Sequence, residues 1–596
     1  MPPHRLGVAS LSEHDPSHAS GADGGGQGIN EEGSPPSGEG TASRRDFLKG
    51  AAAFGVAAAS LPALRGAASV RVREQARAGS SASNGNKLWN GQQVTEPIGL
   101  SAVGPPKRGG HLTWAWIFEP IAQLDPQMPT TGDNGDLGTL LWIYDQLTNI
   151  IPGTLTNGPG LASHWDVNKG GLEYVFYLRD AAFSNGDKVT ANDVKFSLER
   201  FANPKINGQY AFLSAIDKVE ALNPTTVRVT LQYVQAMFDQ CVGHAVSGIV
   251  PQRIVEKMGK DFAQHPIGSG PFIFESKVPG QTITLKRNPN YWKSPMPWID
   301  GVTMNYVPDP NARMLQVTRG SADIGLNVPY ALLETYRDTP GTRLQLEPYT
   351  NVILAVPNMK RKPFNETNVR LALNYATPRE VINTAVFKNA PRLANSPIGQ
   401  LRYWDPTVPN FPYDLNRAKQ LMAKSSVPNG YSAKLLIVGT DADSVSIAQI
   451  LQAAWLEIGV KLGIEDVDLN TMFSRFYSTT DPNFDINLFP PTYSSTDVGD
   501  DDEMALFFYE PLSVQFGGYF YNDPHANKLV NQATHTLDTS VRKRTFAELQ
   551  RYCLYTNPPI IPFGFGPNAM LVKNRVQGLR TLLNQSWRLE EVWLNS

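Results

Sequence analysis

Between Gly171 and Phe201 the chain changes its hydrophobic period, and that change limits what it can build. In "GLEYVFYLRD" (171–180) Leu172, Tyr174, Phe176 and Leu178 alternate with other residues. A period of two belongs to a strand with one buried face. In "TANDVKFSLERF" (190–201) Val194, Leu198 and Phe201 come at helical spacing instead. Thr190 and Asp193 stand three apart at the start of that run, the pattern of a capping box. A chain that switches in this way packs helix on sheet, and this one does so repeatedly.

"HLTWAWIF" (111–118) reads as a strand and "TLLWIYDQL" (139–147) as a helix. "DKVEALNPTTVRVTLQ" (217–232) reads as a hairpin turning at Asn223-Pro224. Strands follow at 271–277 and 281–287, then "VTMNYVPD", then a helix and short strand in "PNARMLQVTRGSADIGLN". A second region of alternating type begins with "TNVILAVPN" (350–358) and carries helices at 368–376 and 416–424. In "SVSIAQILQAAWLEIGV" (444–460) Ile447, Ile450, Leu451, Ala454 and Ile458 make one stripe, and Gly459 stands where the helix stops. "KLGIEDV" returns to strand. The helix in "RKRTFAELQRYCLYTNPP" ends at Pro558-Pro559, before the strand "IIPFGF". No internal repeat is visible. The pattern is mixed α/β in more than one lobe.

The apolar run Gly50–Leu64 carries no charge, but it is Ala-rich and shorter than the roughly twenty residues that span a bilayer. It follows Arg44-Arg45 and then Asp-Phe-Leu-Lys, which looks like a twin-arginine export signal with its core at 44–68. Cleavage is open between the Gly66/Ala68 region and Ala76-Arg77-Ala78. No Cys follows the run, so no lipid anchor is expected. Residues 1–40 are rich in Gly, Ser, Pro and Glu and are expected to be disordered. The leader is therefore 1–78, and the polar segment 79–108 reads as a flexible arm.

With 53 basic and 55 acidic residues the formal charge is −2, which offers no basic face to nucleic acid. Two cysteines, Cys241 and Cys553, are too few for a disulfide framework, and whether they pair is open. Aromatic residues reach 10 %, enough to furnish both core and cleft. Catalytic signatures do not occur: there is no His-Glu-x-x-His, Gly-x-Ser-x-Gly, Cys-x-x-Cys, P-loop or Gly-x-Gly-x-x-Gly. His525 and His535 lie too far apart to ligate from one helical face. The acidic run "TDVGDDDE" (496–503) lacks the Gly and Glu placement of a calcium loop. Gly268-Ser269-Gly270 before Pro271 reads as a tight turn.

Several strings in order resemble one family. They are "GGHLTWAW", "LASHWDVNKGGLEYVFYLRDAAFSNGDKVTANDVKFSLERF", "IGSGPFIFESKVPGQTITLKRNPNYW", "PDPNARMLQVTRGSADIG", "PFNETNVRLALNYATPREVI" and "YDLNRAKQLMA". With "AAWLEIGVKL" and "YNDPHANKLVNQA" they run from about Gly109 to Gly578. The resemblance is to extracellular solute-binding protein family 5, the peptide- and nickel-type substrate-binding proteins of ABC importers. It implies an α/β, periplasmic-binding-protein-like fold with two closing lobes, a third inserted lobe and a hinge of two crossovers. Lobe I would take 109–140, 266–350 and 561–596, inserted lobe II 141–265, and lobe III 351–560.

The implied function is capture of a peptide or other small organic solute between two lobes, for delivery to a membrane ABC permease complex. No cofactor, metal or catalysis is implied, nor any nucleic-acid partner. A monomer is expected, periplasmic and not lipid-anchored. The family's ammonium-binding Asp would correspond to Asp497. The Trp usual three residues earlier is Ser494 here, and Tyr493 is the nearest ring. Trp116 and Phe118 would face the cleft from the first lobe, and Asn351 would stand at the hinge strand. Two other readings compete: an exported α/β hydrolase or redox enzyme, and a ligand-sensing module for a membrane receptor.

Overall fold

Strand β1 (His111–Trp116) is the first strand among the described residues, and its two tryptophans, Trp114 and Trp116, fall on one face. The computed structural model describes residues 104–117, 124–128, 137–151, 156–168, 170–203, 205–206, 210–346, 351–397, 399, 402–478, 482–491, 520–582 and 587–595. An antiparallel sheet follows, from β2 (Ala162–Val167), β3 (Glu173–Leu178), β4 (Ile216–Asn223) and β5 (Thr226–Leu231) in spatial order β2-β3-β5-β4. The chain then lays down β6 (Phe272–Val278), β7 (Thr282–Arg287), β8 (Gly301–Tyr306), β9 (Ile324–Gly325) and β10 (Thr342–Leu346). Another sheet is built from β11 (Asn351–Pro357), β12 (Arg392–Leu393), β13 (Tyr431–Val438), β14 (Val460–Val467), β15 (Ile486–Leu488) and β16 (Ile561–Gly566). Next comes β17 (Ala569–Lys573), which pairs back with the earlier strands, and four two-residue strands follow it.

Two large mixed sheets result. One is seven-stranded, β10-β17-β9-β1-β8-β7-β6, with β1 parallel to both its neighbours. The other is six-stranded, β12-β16-β11-β15-β13-β14. The helices used below are α1 (Leu137–Ile143), α2 (Ala191–Phe201), α3 (Pro310–Arg319), α4 (Thr367–Tyr375), α5 (Arg379–Ala385), α6 (Ala442–Leu456), α7 (Leu469–Phe476), α8 (Pro524–Thr534) and α9 (Thr539–Arg551).

The period switch at 171–201 gives β3 and then α2. Tyr174, Phe176 and Leu178 are buried on β3, whereas Leu172 precedes the strand and is 37 % exposed. The capping box forms: Thr190 Oγ1 accepts from the Asp193 amide and Asp193 Oδ2 accepts from the Thr190 amide. Helix α1 ends four residues earlier than its sequence suggests. The Ile143 carbonyl takes the Gly270 amide at 2.9 Å and the Asp145 carbonyl takes the Ile249 amide at 2.9 Å, so tertiary partners replace a further helical turn. On α6 Ile447 and Leu451 are fully buried and Ile458 follows the helix nearly buried; Trp455, at 0 % exposure, completes the face. Gly459, three residues past the end of α6, turns the chain into β14 with a positive φ of 82°. Cys241 and Cys553 are both buried, and no disulfide joins them.

Candidate functional site

The two sheets are joined by paired strands. β10 runs antiparallel to β17 in the seven-stranded sheet, with Leu346 opposite Ala569. β11 runs antiparallel to β16 in the six-stranded sheet, with Asn351 opposite Gly566. Two antiparallel connections therefore leave one sheet side by side and enter the other. Such a pair is stiff along its length and weak to bending where the pairing is interrupted.

Side chains pin the six-stranded end of this pair. Arg379, 3 % exposed, donates through Nε to the Pro562 carbonyl at 2.6 Å and through Nη1 to the Asn374 carbonyl at 2.7 Å. Its Nη2 donates to Asn374 Oδ1 at 2.6 Å. Arg370 donates to the Pro558 carbonyl at 2.8 Å and the Phe364 carbonyl at 2.7 Å, and also to Asn557 Oδ1. Both cations are buried against carbonyl dipoles. Desolvation lowers the pKa of Arg379 to about 9 and of Arg370 to about 10. The run from Asn557 to Pro562 is thus held by α4 and α5 before the chain crosses.

A further contact joins the segment after β9 to the six-stranded sheet. Asp443, at the start of α6, accepts the Tyr330 amide at 3.3 Å. Burial, then the charge of Asp441, pushes its carboxyl up to about 7. The Tyr330 ring packs edge-on to Phe387 at 5.1 Å. Its hydroxyl lies so close to Gly566 that a Cβ there would overlap it. Only glycine fits at that point of the crossover.

Of the residues expected at the ligand, two lie among the described ones. Asn351 is fully buried at the head of β11, and its Nδ2 donates to the Pro491 carbonyl at 2.8 Å while Oδ1 meets no partner among the described residues. Pro491 is the last described residue before the segment carrying Tyr493 and Asp497. Asn351 thus fixes the root of that segment. Trp116 is 2 % exposed, and its ring lies 5.2 Å from Trp114, 6.4 Å from Trp142 and 5.5 Å from Trp587. Phe118, Tyr493, Asp497, Arg44 and Arg45 lie outside the described residues. Sequence reasoning did not single out Arg370, Arg379 or Asp443. A signal existed for Arg370: it neighbours Val369 and stands three residues from Leu373, on the apolar side of a helix. Among the described residues, no three His, Cys, Asp or Glu side chains gather as a metal would need.

The family model for bacterial extracellular solute-binding proteins, family 5, matches residues 157–515. The chain belongs to that family. Its fold is the periplasmic-binding-protein fold of the ABC-importer proteins, and its function is that of the importer's solute-binding component. It is 26 % identical over 481 residues to heme-binding protein A of Haemophilus influenzae, covering 73 % of this chain and 84 % of that protein. It is 26 % identical over 406 residues to the glutathione-binding protein GsiB of Salmonella typhimurium, covering 67 % and 79 %. Among solved structures it superposes on the periplasmic binding protein DppA of Helicobacter pylori in complex with the peptide STSA. There the TM-score is 0.74 at 22 % identity, over 82 % of this chain and 99 % of that one.

Proposed function

We propose that this chain captures a peptide or a peptide-like organic solute between two lobes and hands it, unaltered, to a membrane permease complex. The paired crossover carries this reading. Two adjacent antiparallel connections between two large sheets are what a hinge needs, and a solute touching both sides favours the closed form. In this reading lobe I holds the seven-stranded sheet, lobe II the β2–β5 sheet and lobe III the six-stranded sheet. Asp497 and Tyr493 meet the ligand from the segment rooted at Asn351, and Phe118 meets it from the first lobe; Trp116, expected beside it, is buried among Trp114, Trp142 and Trp587 and backs that face instead. The protein works as a monomer without cofactor, in the periplasm, delivered by the twin-arginine signal around Arg44-Arg45 and free of a lipid anchor. The peptide class is supported by relatives named for glutathione and solved with a peptide, and by an acidic run suited to a ligand ammonium.

A thermal-shift panel tests it: short peptides, reduced glutathione, heme, sugars, opines and nickel chelates. A ligand at a thousand times its dissociation constant stabilises the folded form by about 4 kcal/mol, which raises the midpoint by degrees. The expected hit is a peptide, weakened about ten- to a hundredfold by Asp497→Ala, since a charge-assisted hydrogen bond contributes about 1.5–3 kcal/mol. Silence across the panel overturns the capture reading. Return of the hit in chemically altered form makes the protein an enzyme instead.

A further inference from the structure

We propose that the turn between α8 and α9 is a latch that docks on the strap following β5 and holds the lobes closed, setting how long a captured solute stays; this rests on the hinge-closure reading. Three contacts among the described residues mark the docking. The Ala236 amide donates to the Thr534 carbonyl at 2.9 Å. The rings of Tyr233 and His535 lie 4.8 Å apart, inclined at 49°. A Cβ built on Gly171 would come within 2.8 Å of Leu537 Cδ1 and 3.6 Å of Val234 Cγ1, so Leu537 seats against the turn that opens β3.

Topology gives this contact its meaning. The β2–β5 sheet is inserted between β1 and β6 of the seven-stranded sheet. Helices α8 and α9 are inserted between β15 and β16 of the six-stranded sheet. The backbone path from one insertion to the other runs through the crossovers. A rotation about the crossovers that parts the insertions must therefore break the docking. Its exposure suits that use: Leu537 is still 45 % exposed at the contact, so solvent reaches the seam.

Both halves are shaped in advance. On the strap, the Gln232 amide donates to the Ala215 carbonyl at 2.9 Å and Gln235 Nε2 to the Phe212 carbonyl at 2.9 Å. The Tyr233 hydroxyl meets that of Ser214 at 2.9 Å, which aims the ring. On the turn, Arg542 Nη1 donates to the Ala533 carbonyl at 3.1 Å, and Asp538 caps α9 by accepting from the Ser540 and Val541 amides. Preformed halves lose little entropy on docking, so a small contact suffices to bias the equilibrium.

The test uses the full chain with His535→Ala and Leu537→Ser together, and needs no ligand. Hydrogen exchange at the Ala236 amide should accelerate about tenfold, the effect of removing roughly 1.4 kcal/mol of closure, while amides of Thr226–Leu231 keep their rates. The radius of gyration from small-angle scattering should exceed that of the wild type in the same buffer. The melting midpoint should stay within about 2 °C, because both side chains are partly exposed. Leu537→Ser alone repeats the measurement if the pair proves destabilising. Exchange and radius both equal to wild type overturn the latch and leave the hinge untouched. Faster exchange at an unchanged radius overturns the latch by another route: the lobes do not part about the crossovers, and the hinge-closure reading is what fails.

Discussion

Two regions of the molecule are secured by opposite means. Around β1 of the seven-stranded sheet, four indole rings, Trp114, Trp116, Trp142 and Trp587, pack with centroids 5.0–6.4 Å apart. The crossover is gripped by arginines at both ends: Arg343 on β10 donates to the Lys573 carbonyl at 3.1 Å and the Val576 carbonyl at 2.7 Å. At the six-stranded end, Arg370 and Arg379 grip carbonyls of the entering strand. Aromatic packing is strong but tolerates small shifts, because its attraction is spread over many atom pairs. A guanidinium fork has fixed directions and loses its bonds when the strand moves by an ångström. The strand from Asn557 to Pro562 should therefore move with α4 and α5 as one body. Bending belongs beyond it, in the link between β16 and β17.

The sharpest way to break this contrast is Arg379→Met. The methionine keeps some volume but leaves the carbonyls of Pro562 and Asn374 and Asn374 Oδ1 without their donor. Stranding buried polar groups in this way costs about 3–5 kcal/mol. Trp587→Leu in the indole cluster creates a cavity costing about 2–3 kcal/mol, because the neighbouring rings relax into part of it. Thermal midpoints should fall in that order. If Trp587→Leu falls further, the indole cluster contributes more to stability than the arginine clamp does.

A second difference is read with pH. Asp443, beside the crossover, and Asp145, beneath the seven-stranded end, are both raised to about 7, in each case first by burial. Asp145 Oδ2 accepts Trp292 Nε1 at 2.8 Å, with Lys293, Arg588 and Glu590 around it. A carboxyl raised above its unfolded value near 3.9 holds its proton better in the fold. Its contribution is complete below about pH 4 and is lost as pH rises through about 7. Each site should give on the order of 4 kcal/mol across that window. Asp443→Asn and Asp145→Asn should each flatten the fall in melting midpoint between pH 5 and 8. A variant that leaves the slope as in wild type shows that its carboxyl is already charged at pH 5.

The sequence made the local features legible and left the distant ones hidden. The capping box, the hairpin of β4 and β5 and the period switch at 171–201 involve neighbours in the chain, so spacing alone declares them. The arginine clamp joins residues some 190 apart, and the pairing of Asn351 with Pro491 joins residues 140 apart. No spacing rule connects these. Trp116 was legible as a strand residue, but its setting among three other indoles depends on Trp142 and Trp587, brought there by other elements. His535 reads as a surface histidine until Tyr233 is placed against it.

The smallest expected effect tells whether the comparison concerns one cooperative body or several. Thr190 caps α2, and Asp193 also accepts the Gln252 amide at 3.0 Å through its other oxygen. Thr190→Ala removes one side of the capping box and should cost about 1 kcal/mol. That loss lies in the inserted region, away from both ends of the crossover. A chain of this length need not unfold in one step, and each region can melt with its own transition. If the regions are coupled only through the crossover and the small latch, calorimetry should show one transition moved and the others in place. The Arg379→Met variant should then move a different one. A uniform shift of the whole profile by Thr190→Ala would mean that the buried core shared between regions binds them more tightly than the crossover does. The two regions could not then be compared separately, and the rotation would have to occur with that core intact.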